Sequence, residues 1–181
     1  MKFVNSNITL NDSGWGAQSG SVQNPNGNVY IENSTITVNS VAGVFANNST
    51  EVVGNVKFIT ENNKQILRTN TGEITLNLGE QADFQGYINE KGTEVTFPTD
   101  YILAENWEIA AGRTLTIPEG VTLTLSDGVS ITKAEGSQII NNGTILVPCD
   151  ALNAVEVDGG NAPSEHHSFN NYISNNDATC T

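Results

Sequence analysis

"RTLTIPEGVTLTLSDGVSITKAEGSQIINNGTILV", residues 113–147, carries the pattern that decides the fold. Glycines punctuate this stretch and its start at a spacing of about eight: Gly112, Gly120, Gly128, Gly136 and Gly143. The apolar side chains keep to odd-numbered positions through each turn: Leu115, Ile117, Val121, Leu123, Leu125, Val129, Ile131, Ile139, Ile145 and Val147. Such alternation predicts strands with one apolar face. Three sides of this length make a coil of about 24 residues, a repeat typical of solenoids. The sequence therefore predicts an all-β fold, a parallel β-helix.

Earlier phrases repeat the pattern more loosely. Each pairs a small or Asn-bearing turn with a short strand rich in β-branched residues: "NSNITLND" (5–12), "ENSTITVNS" (32–40), "VVGNVKFITEN" (52–62) and "NTGEITLNLG" (70–79). Ile8 and Ile36 are 28 positions apart, and shorter steps follow. The varying step indicates coils whose corners tolerate insertions, and the recurring Asn beside the strands suggests stacked amide ladders.

A β-sandwich is the alternative. In that fold, "IPEGV" (117–121) and "LSDGV" (125–129) are hairpin turns, for which Asp-Gly is a favoured dipeptide. The unbroken odd register, the recurring Asn and the small aliphatic side chains favour the β-helix, because they suit a narrow coil interior.

The composition limits the function. Among 181 residues, 20 Asp and Glu against 7 Lys and Arg give a net charge of -13, which argues against a basic patch for nucleic acid or an anionic bilayer. No apolar run approaches the roughly 18 to 20 residues needed for membrane insertion.

The opening "MKFVNSNITLND" lacks the apolar stretch of a secretion signal and goes directly into strand-like alternation. This start fits either a cytosolic protein or a fragment of a longer one. We expect a fragment, because Phe3 and Val4 resemble the end of a strand, and adjacent modules of the parent are then its neighbours.

Two stretches carry a family resemblance. "GRTLTIPEGVTLTL" (112–125) and "INNGTILV" (140–147) resemble β-helical, pectin-lyase-like segments of large secreted or wall-attached surface proteins of Gram-positive gut bacteria. "HHSFNNYISNNDATCT" (166–181) resembles the opening of a small cysteine-containing module of such proteins. The matching residues are His167, Phe169, Tyr172, Ala178, Thr179, Cys180 and Thr181. The module's further cysteines are missing here, so it is truncated. The resemblance implies an extracellular or cell wall-attached bacterial location.

The composition shifts at Pro148, which predicts a β-solenoid over 1–147 and a cap or linker over 148–181 that leads into the truncated module. "ALNAVEV" (151–157) is expected to pack on the last coil, and the strand edge at Phe3 is expected to be exposed in the fragment. The two cysteines either form a Cys149–Cys180 disulfide or are unpaired thiols, and the sequence is consistent with both states.

The sequence contains few residues suited to catalysis. We therefore predict that the protein is not an enzyme and binds no cofactor or metal. Lys57, Lys64 and Arg68 can share a face, but no carboxylate cluster lies beside them in the sequence. The aspartates are scattered, mostly at turns: Asp12, Asp83, Asp100 and Asp127. His166 and His167 belong to a polar tail. A polysaccharide lyase or glycoside hydrolase of the β-helix type is the alternative function.

A long polar insertion from Asn11 to Asn28 is the candidate binding feature. Its candidate ligand-binding residues are Trp15, Asn11, Asn24 and Asn26. Trp15 either stacks on a sugar face or folds back over the coil. Trp107 is expected in the core or a cap, and three tyrosines are candidates to extend an aromatic strip: Tyr30, Tyr87 and Tyr101.

These features predict a noncatalytic extracellular surface-protein segment, a rigid stalk or adhesin. Its expected partners are host or bacterial glycans or surface proteins. A phage fibre segment is a further alternative, which trimerisation would distinguish.

Overall fold

The computed structural model describes residues 1–11, 22–24, 27–39, 42–61 and 63–166, and it is a β-solenoid. Parallel strands make up nearly all of it, and the only helix among these residues is a 3₁₀ turn at Leu152–Ala154. The chain divides into two compact units, Met1–Thr99 and a second that begins at Asp100. No helix in this described part is long and apolar enough to cross a membrane. The predicted β-helix is confirmed.

The first unit is built from coils of three strands. In chain order they are β1 (Lys2–Val4), β2 (Asn7–Leu10), β3 (Val22–Asn24), β4 (Val29–Glu32), β5 (Thr35–Val38), β6 (Ala42–Ala46), β7 (Thr50–Gly54), β8 (Lys57–Thr60), β9 (Gln65–Thr69), β10 (Ile74–Leu78), β11 (Asp83–Phe84), β12 (Tyr87–Glu90) and β13 (Glu94–Thr96). Equivalent strands of successive coils pair in parallel. They form a first sheet β1-β4-β7-β10, a second sheet β2-β5-β8-β11 and a third sheet β3-β6-β9-β12. Strand β13 adds to β12 in antiparallel fashion.

The core of the first unit is a set of in-register ladders. Ile8 pairs with Ile36, Ile36 with Phe58, and Phe58 with Phe84, so one apolar side chain from each coil stacks on the next. The rings of Phe58 and Phe84 have centroids 5.2 Å apart. The step from Ile8 to Ile36 is the 28-residue spacing seen in the sequence, and the long coil carries the insertion after β2.

The second unit repeats the plan. Its strands are β14 (Tyr101–Leu103), β15 (Trp107–Ile109), β16 (Thr114–Ile117), β17 (Thr122–Leu125), β18 (Ile131–Lys133), β19 (Gln138–Asn141), β20 (Thr144–Pro148), β21 (Gly159–Gly160) and β22 (Ser164–His166). The sheets are β14-β17-β20-β22, β15-β18 and β16-β19-β21. All ten odd-position apolar residues of the deciding stretch are buried.

The turns that a sandwich would use as hairpins are corners. "IPEGV" joins β16 to β17 and "LSDGV" joins β17 to β18, and in both cases the two strands belong to different sheets. Gly120 and Gly128 adopt φ of 79° and 74°, where a side chain is strained. The sandwich alternative is therefore wrong.

Parallel pairing continues beyond Val147. Strand β22 pairs with β20, and Val155 of "ALNAVEV" is buried and bridges to Ile131. The division between a solenoid and a cap or linker at Pro148 stays a prediction.

Candidate binding surface

The turns that lead from the third sheet to the first are rich in asparagine. Asn24, Asn47 and Asn70 end or follow β3, β6 and β9, and Asn28 precedes β4. We call these four residues the amide corner. The backbone N–H of Asn47 donates to the Asn24 carbonyl at 3.1 Å, and the Asn70 side-chain Nδ2 donates to Asn47 Oδ1 at 3.4 Å. Asn47 and Asn70 therefore stack on successive coils, whereas Asn24 is in register with Ala46 and meets Asn47 through its backbone carbonyl.

Side-chain amides also complete the backbone hydrogen bonding of this corner. Asn24 Nδ2 donates to the Asn28 carbonyl at 2.9 Å, and Asn28 Oδ1 accepts from the Ser49 N–H at 3.2 Å. A turn leaves backbone groups unpaired, and a short amide side chain satisfies them locally. Each amide has two donor hydrogens and an acceptor oxygen, and these contacts use only part of that capacity. Asn28 and Asn70 are exposed, so neutral donors and acceptors face the solvent.

The outer face of the first sheet adjoins the amide corner. Lys2, Tyr30, Glu51 and Thr75 are in register across β1, β4, β7 and β10, and we call them the outer row. Tyr30 comes two residues after Asn28, about 7 Å along the strand. The outer row is therefore next to the exposed amides.

Tyr30 is held by charged neighbours. Lys2 Nζ lies 4.7 Å from the centroid of its ring, and the phenol O–H donates to Glu32 Oε2 at 3.0 Å. The hydrogen bond to Glu32 raises the pKa of Tyr30, and desolvation and the nearby charges of Glu32 and Glu51 raise it further. The ring is thus a fixed aromatic surface between an ammonium and two carboxylates.

Only part of the predicted ligand set can be placed. Trp15 and Asn26 lie outside the described residues. Asn11 is exposed directly after β2, and its Oδ1 accepts from Asn39 Nδ2 at 2.9 Å. Asn24 belongs to the amide corner. Asn11 and Asn24 therefore lie at the ends of two different strands; Asn11 stacks with the Asn39 amide, and Asn24 bonds the Asn28 backbone.

The aromatic residues do not form one strip. Tyr30 lies in the first sheet and Tyr87 in the third, and Tyr101 is buried in the second unit, where burial raises its pKa to about 12 with a smaller contribution from Glu105. Trp107 is half-buried and pairs in register with buried Ile131.

The basic residues considered for catalysis lie on different sheets. Lys57 is in β8 of the second sheet, whereas Arg68 is in β9 of the third and its guanidinium lies 5.5 Å from the Phe45 ring centroid. Lys64 directly precedes β9. Asp100 has the turn role expected for it, since its carboxylate accepts the Thr122 N–H at 2.7 Å.

Cys149 lies beside the last described strand. Its Sγ is 3.4 Å from the His166 carbonyl oxygen, and among the described residues no cysteine is free. Cys180, like His167, lies outside the described residues, so the Cys149–Cys180 disulfide stays a prediction. In the part of the chain that the structure describes, no three His, Cys, Asp or Glu side chains come together as a metal site.

The spacing of the asparagines is a sequence signal for part of the amide corner. Asn47 and Asn70 are 23 residues apart, the step that separates the register partners Ala46 and Thr69, so these two asparagines lie at the same point of successive coils. Asn24 also lies 23 residues before Asn47, but its register partner is Ala46. Glu51 gave no such signal, because only the strand register sets it beside Tyr30.

Comparisons with protein-family models, with curated proteins and with solved structures find no match to this chain.

Proposed function

We propose that this chain is a noncatalytic segment of an extracellular or cell wall-attached bacterial surface protein, a rigid stalk or adhesin that binds carbohydrate at the amide corner. The side-chain hydrogen bond from Asn70 to Asn47 on the adjacent coil, next to the exposed Asn28, is the observation that carries the proposal. Adjacent modules of a longer parent chain are its proposed neighbours.

The physical argument rests on preorganisation. Parallel pairing spaces equivalent residues of successive coils about 4.8 Å apart, and the backbone bonds of the corner hold each turn in place. Sugar hydroxyls donate and accept hydrogen bonds, as amides do. A binding surface that is already rigid loses little conformational entropy when a ligand binds. Fixed, neutral amides on two adjacent coils therefore suit a glycan that contacts both coils.

The test is a glycan-array screen of the purified chain, run beside an activity assay on the same polysaccharides. We expect binding without release of product. Asn70→Ala and Asn47→Ala should weaken binding without a large change in melting temperature, because the backbone bonds of the corner remain. Asn153→Ala is the matched control, since Asn153 is an exposed asparagine in the second unit.

Other outcomes would replace the proposal. Release of unsaturated or reducing ends would identify an enzyme. If Trp15→Ala abolishes binding and Asn47→Ala and Asn70→Ala do not, the binding site is in the insertion after β2. Absence of both binding and product would leave a structural stalk, and a trimer in solution would favour a fibre segment.

A further inference from the structure

An ammonium group already lies on the aromatic ring of the outer row. Lys2 Nζ is 4.7 Å from the centroid of Tyr30, which is the geometry of a cation–π contact. The Tyr30 hydroxyl donates to Glu32, so the ring cannot turn freely away from this position. The surface therefore holds a cation over a fixed ring.

Two carboxylates beside this ring are not neutralised by an ion pair. Glu51 is next to Tyr30 in the outer row, and Glu32 lies two residues further along β4. The ion pairs among the described residues involve Lys91 and Lys133, and none includes Glu32 or Glu51. In a chain of net charge -13, few basic residues are present to compensate them. An aromatic face with uncompensated carboxylates attracts cations.

Two neutral hydrogen-bonding residues lie near the proposed subsite. Thr75 is in register with Glu51 in the outer row, Asn28 of the amide corner lies two residues before Tyr30, and both are exposed. Hydroxyl and amide groups suit sugar hydroxyls, whereas the ring and the carboxylate suit an amine. The combination matches a sugar that carries both.

We propose that Tyr30 and Glu51 form a subsite for an ammonium group, so that the glycan recognised on this surface carries a free amine. This inference rests on the proposed carbohydrate binding and specifies its substrate class. Lys2 acts as an internal occupant that a ligand amine displaces from the ring.

The test compares two probes of equal length on the intact chain by isothermal titration calorimetry: a glucosamine tetramer and its N-acetylated counterpart. The free-amine probe should bind about tenfold more tightly at low salt, and added salt should reduce this preference. Tyr30→Ala and Glu51→Gln should remove most of the preference. Lys2→Met should strengthen binding of the free-amine probe about threefold, because the competing ammonium is gone.

Glu108→Gln is the matched control. It removes the same charge from an exposed strand position in the second unit and should leave the preference unchanged. If Glu108→Gln lowers binding as much as Glu51→Gln does, the effect comes from net charge and the inference is wrong. Thermal unfolding of each variant shows whether the fold is retained.

The outcomes separate this inference from the proposed function. Equal binding of both probes, reduced by Asn70→Ala, overturns the ammonium subsite and leaves the proposed function standing. If Asn47→Ala and Asn70→Ala leave the free-amine preference unchanged, the ammonium subsite is supported and the amide corner does not contribute to binding. Absence of binding by either probe overturns the inference.

Discussion

Gly143 lies in the corner before β20, where carbonyl oxygens of the preceding coil leave no room for a side chain. A Cβ atom built there would be 2.2 Å from the Pro118 oxygen and 2.4 Å from the Val121 oxygen. Gly159 in β21 is different, because a Cβ would meet only the end of the Ile140 side chain, at 3.3 Å. At neither position is φ in the left-handed region, so the difference is steric.

Gly143→Ala should therefore lower the free energy of unfolding by about 1–3 kcal/mol, the usual cost of overpacking. Gly159→Ala should cost clearly less, because a flexible side chain can move. Urea denaturation of both variants tests this. Equal losses would mean that the corner backbone yields as easily as a side chain does.

The ion pair of Lys133 and Asp158 joins two coils of the second unit. Lys133 Nζ is 2.7 Å from Asp158 Oδ1, and Asp158 Oδ2 accepts the Ile139 N–H at 2.7 Å. The hydrogen bond from Lys133, with that from Ile139, holds the pKa of Asp158 below 3.8, and the same bond raises the pKa of Lys133 above 10.5.

This pair sets a pH dependence with a definite sign. A lowered carboxyl pKa stabilises the native state above the ordinary value, and the contribution is lost as pH falls through the native pKa. A raised lysine pKa stabilises it below the ordinary value, and that contribution is lost as pH rises through the native pKa. The stability difference between the native chain and Asp158→Asn should be constant near neutrality and shrink at both extremes.

Denaturant unfolding across pH measures that difference. Glu156→Gln is the control, because Glu156 is exposed and its carboxylate is 3.7 Å from Lys133 Nζ. Its effect should be smaller than that of Asp158→Asn at every pH. A pH-independent effect of Asp158→Asn would show that the hydrogen bond to Ile139 matters and the charge does not.

At the scale of elements, a strand's position in the stack decides how much its core side chain contributes. Ile8 and Ile36 are in register in β2 and β5 of the second sheet. Ile36 has strands on both sides and is fully buried, whereas Ile8 lies in the first strand of the sheet order and is half-buried. Phe3 of β1 is half-buried beside fully buried Ile31 for the same reason. The expected exposure of the edge at Phe3 is thus partial.

Ile36→Ala should cost about 2–5 kcal/mol of unfolding free energy, and Ile8→Ala clearly less, because less apolar surface leaves water at β2. Chemical denaturation of the two variants is the measurement. A loss at Ile8 as large as that at Ile36, and dependent on protein concentration, would show that another strand pairs with β2 in solution.

At the scale of the whole molecule, the net charge predicts how the melting temperature depends on salt. With 20 acidic and 7 basic residues, the folded chain repels itself. Salt screens exposed charges over about 10 Å at 0.1 M, and it should therefore raise the melting temperature between about 0.01 and 0.3 M at neutral pH. An equal osmolality of sucrose controls for solute exclusion. A melting temperature that falls with salt would mean that attractive pairs such as Lys133–Asp158 outweigh the repulsion.

The sequence by itself determined the coil. Alternation with period two keeps the apolar side chains on odd positions through each glycine from Gly112 to Gly143, which leaves one apolar face for the coil interior. For this reason the buried set from Leu115 to Val147 and the glycine corners between its strands were readable in advance. Local patterns fix these features, because each depends on neighbours in the chain.

Only the tertiary structure decided which residues of different coils meet. In the amide corner, the strand register pairs Asn24 with Ala46, one residue out of step with the 23-residue spacing of the asparagines. In the outer row, the register places Glu51 beside Tyr30 at a separation of 21 residues, and this separation differs between coils. The proposed aromatic strip failed for the same reason, since Tyr30 and Tyr87 belong to different sheets. Contacts between coils are set by strand pairing over a variable sequence separation, and no local pattern encodes that separation.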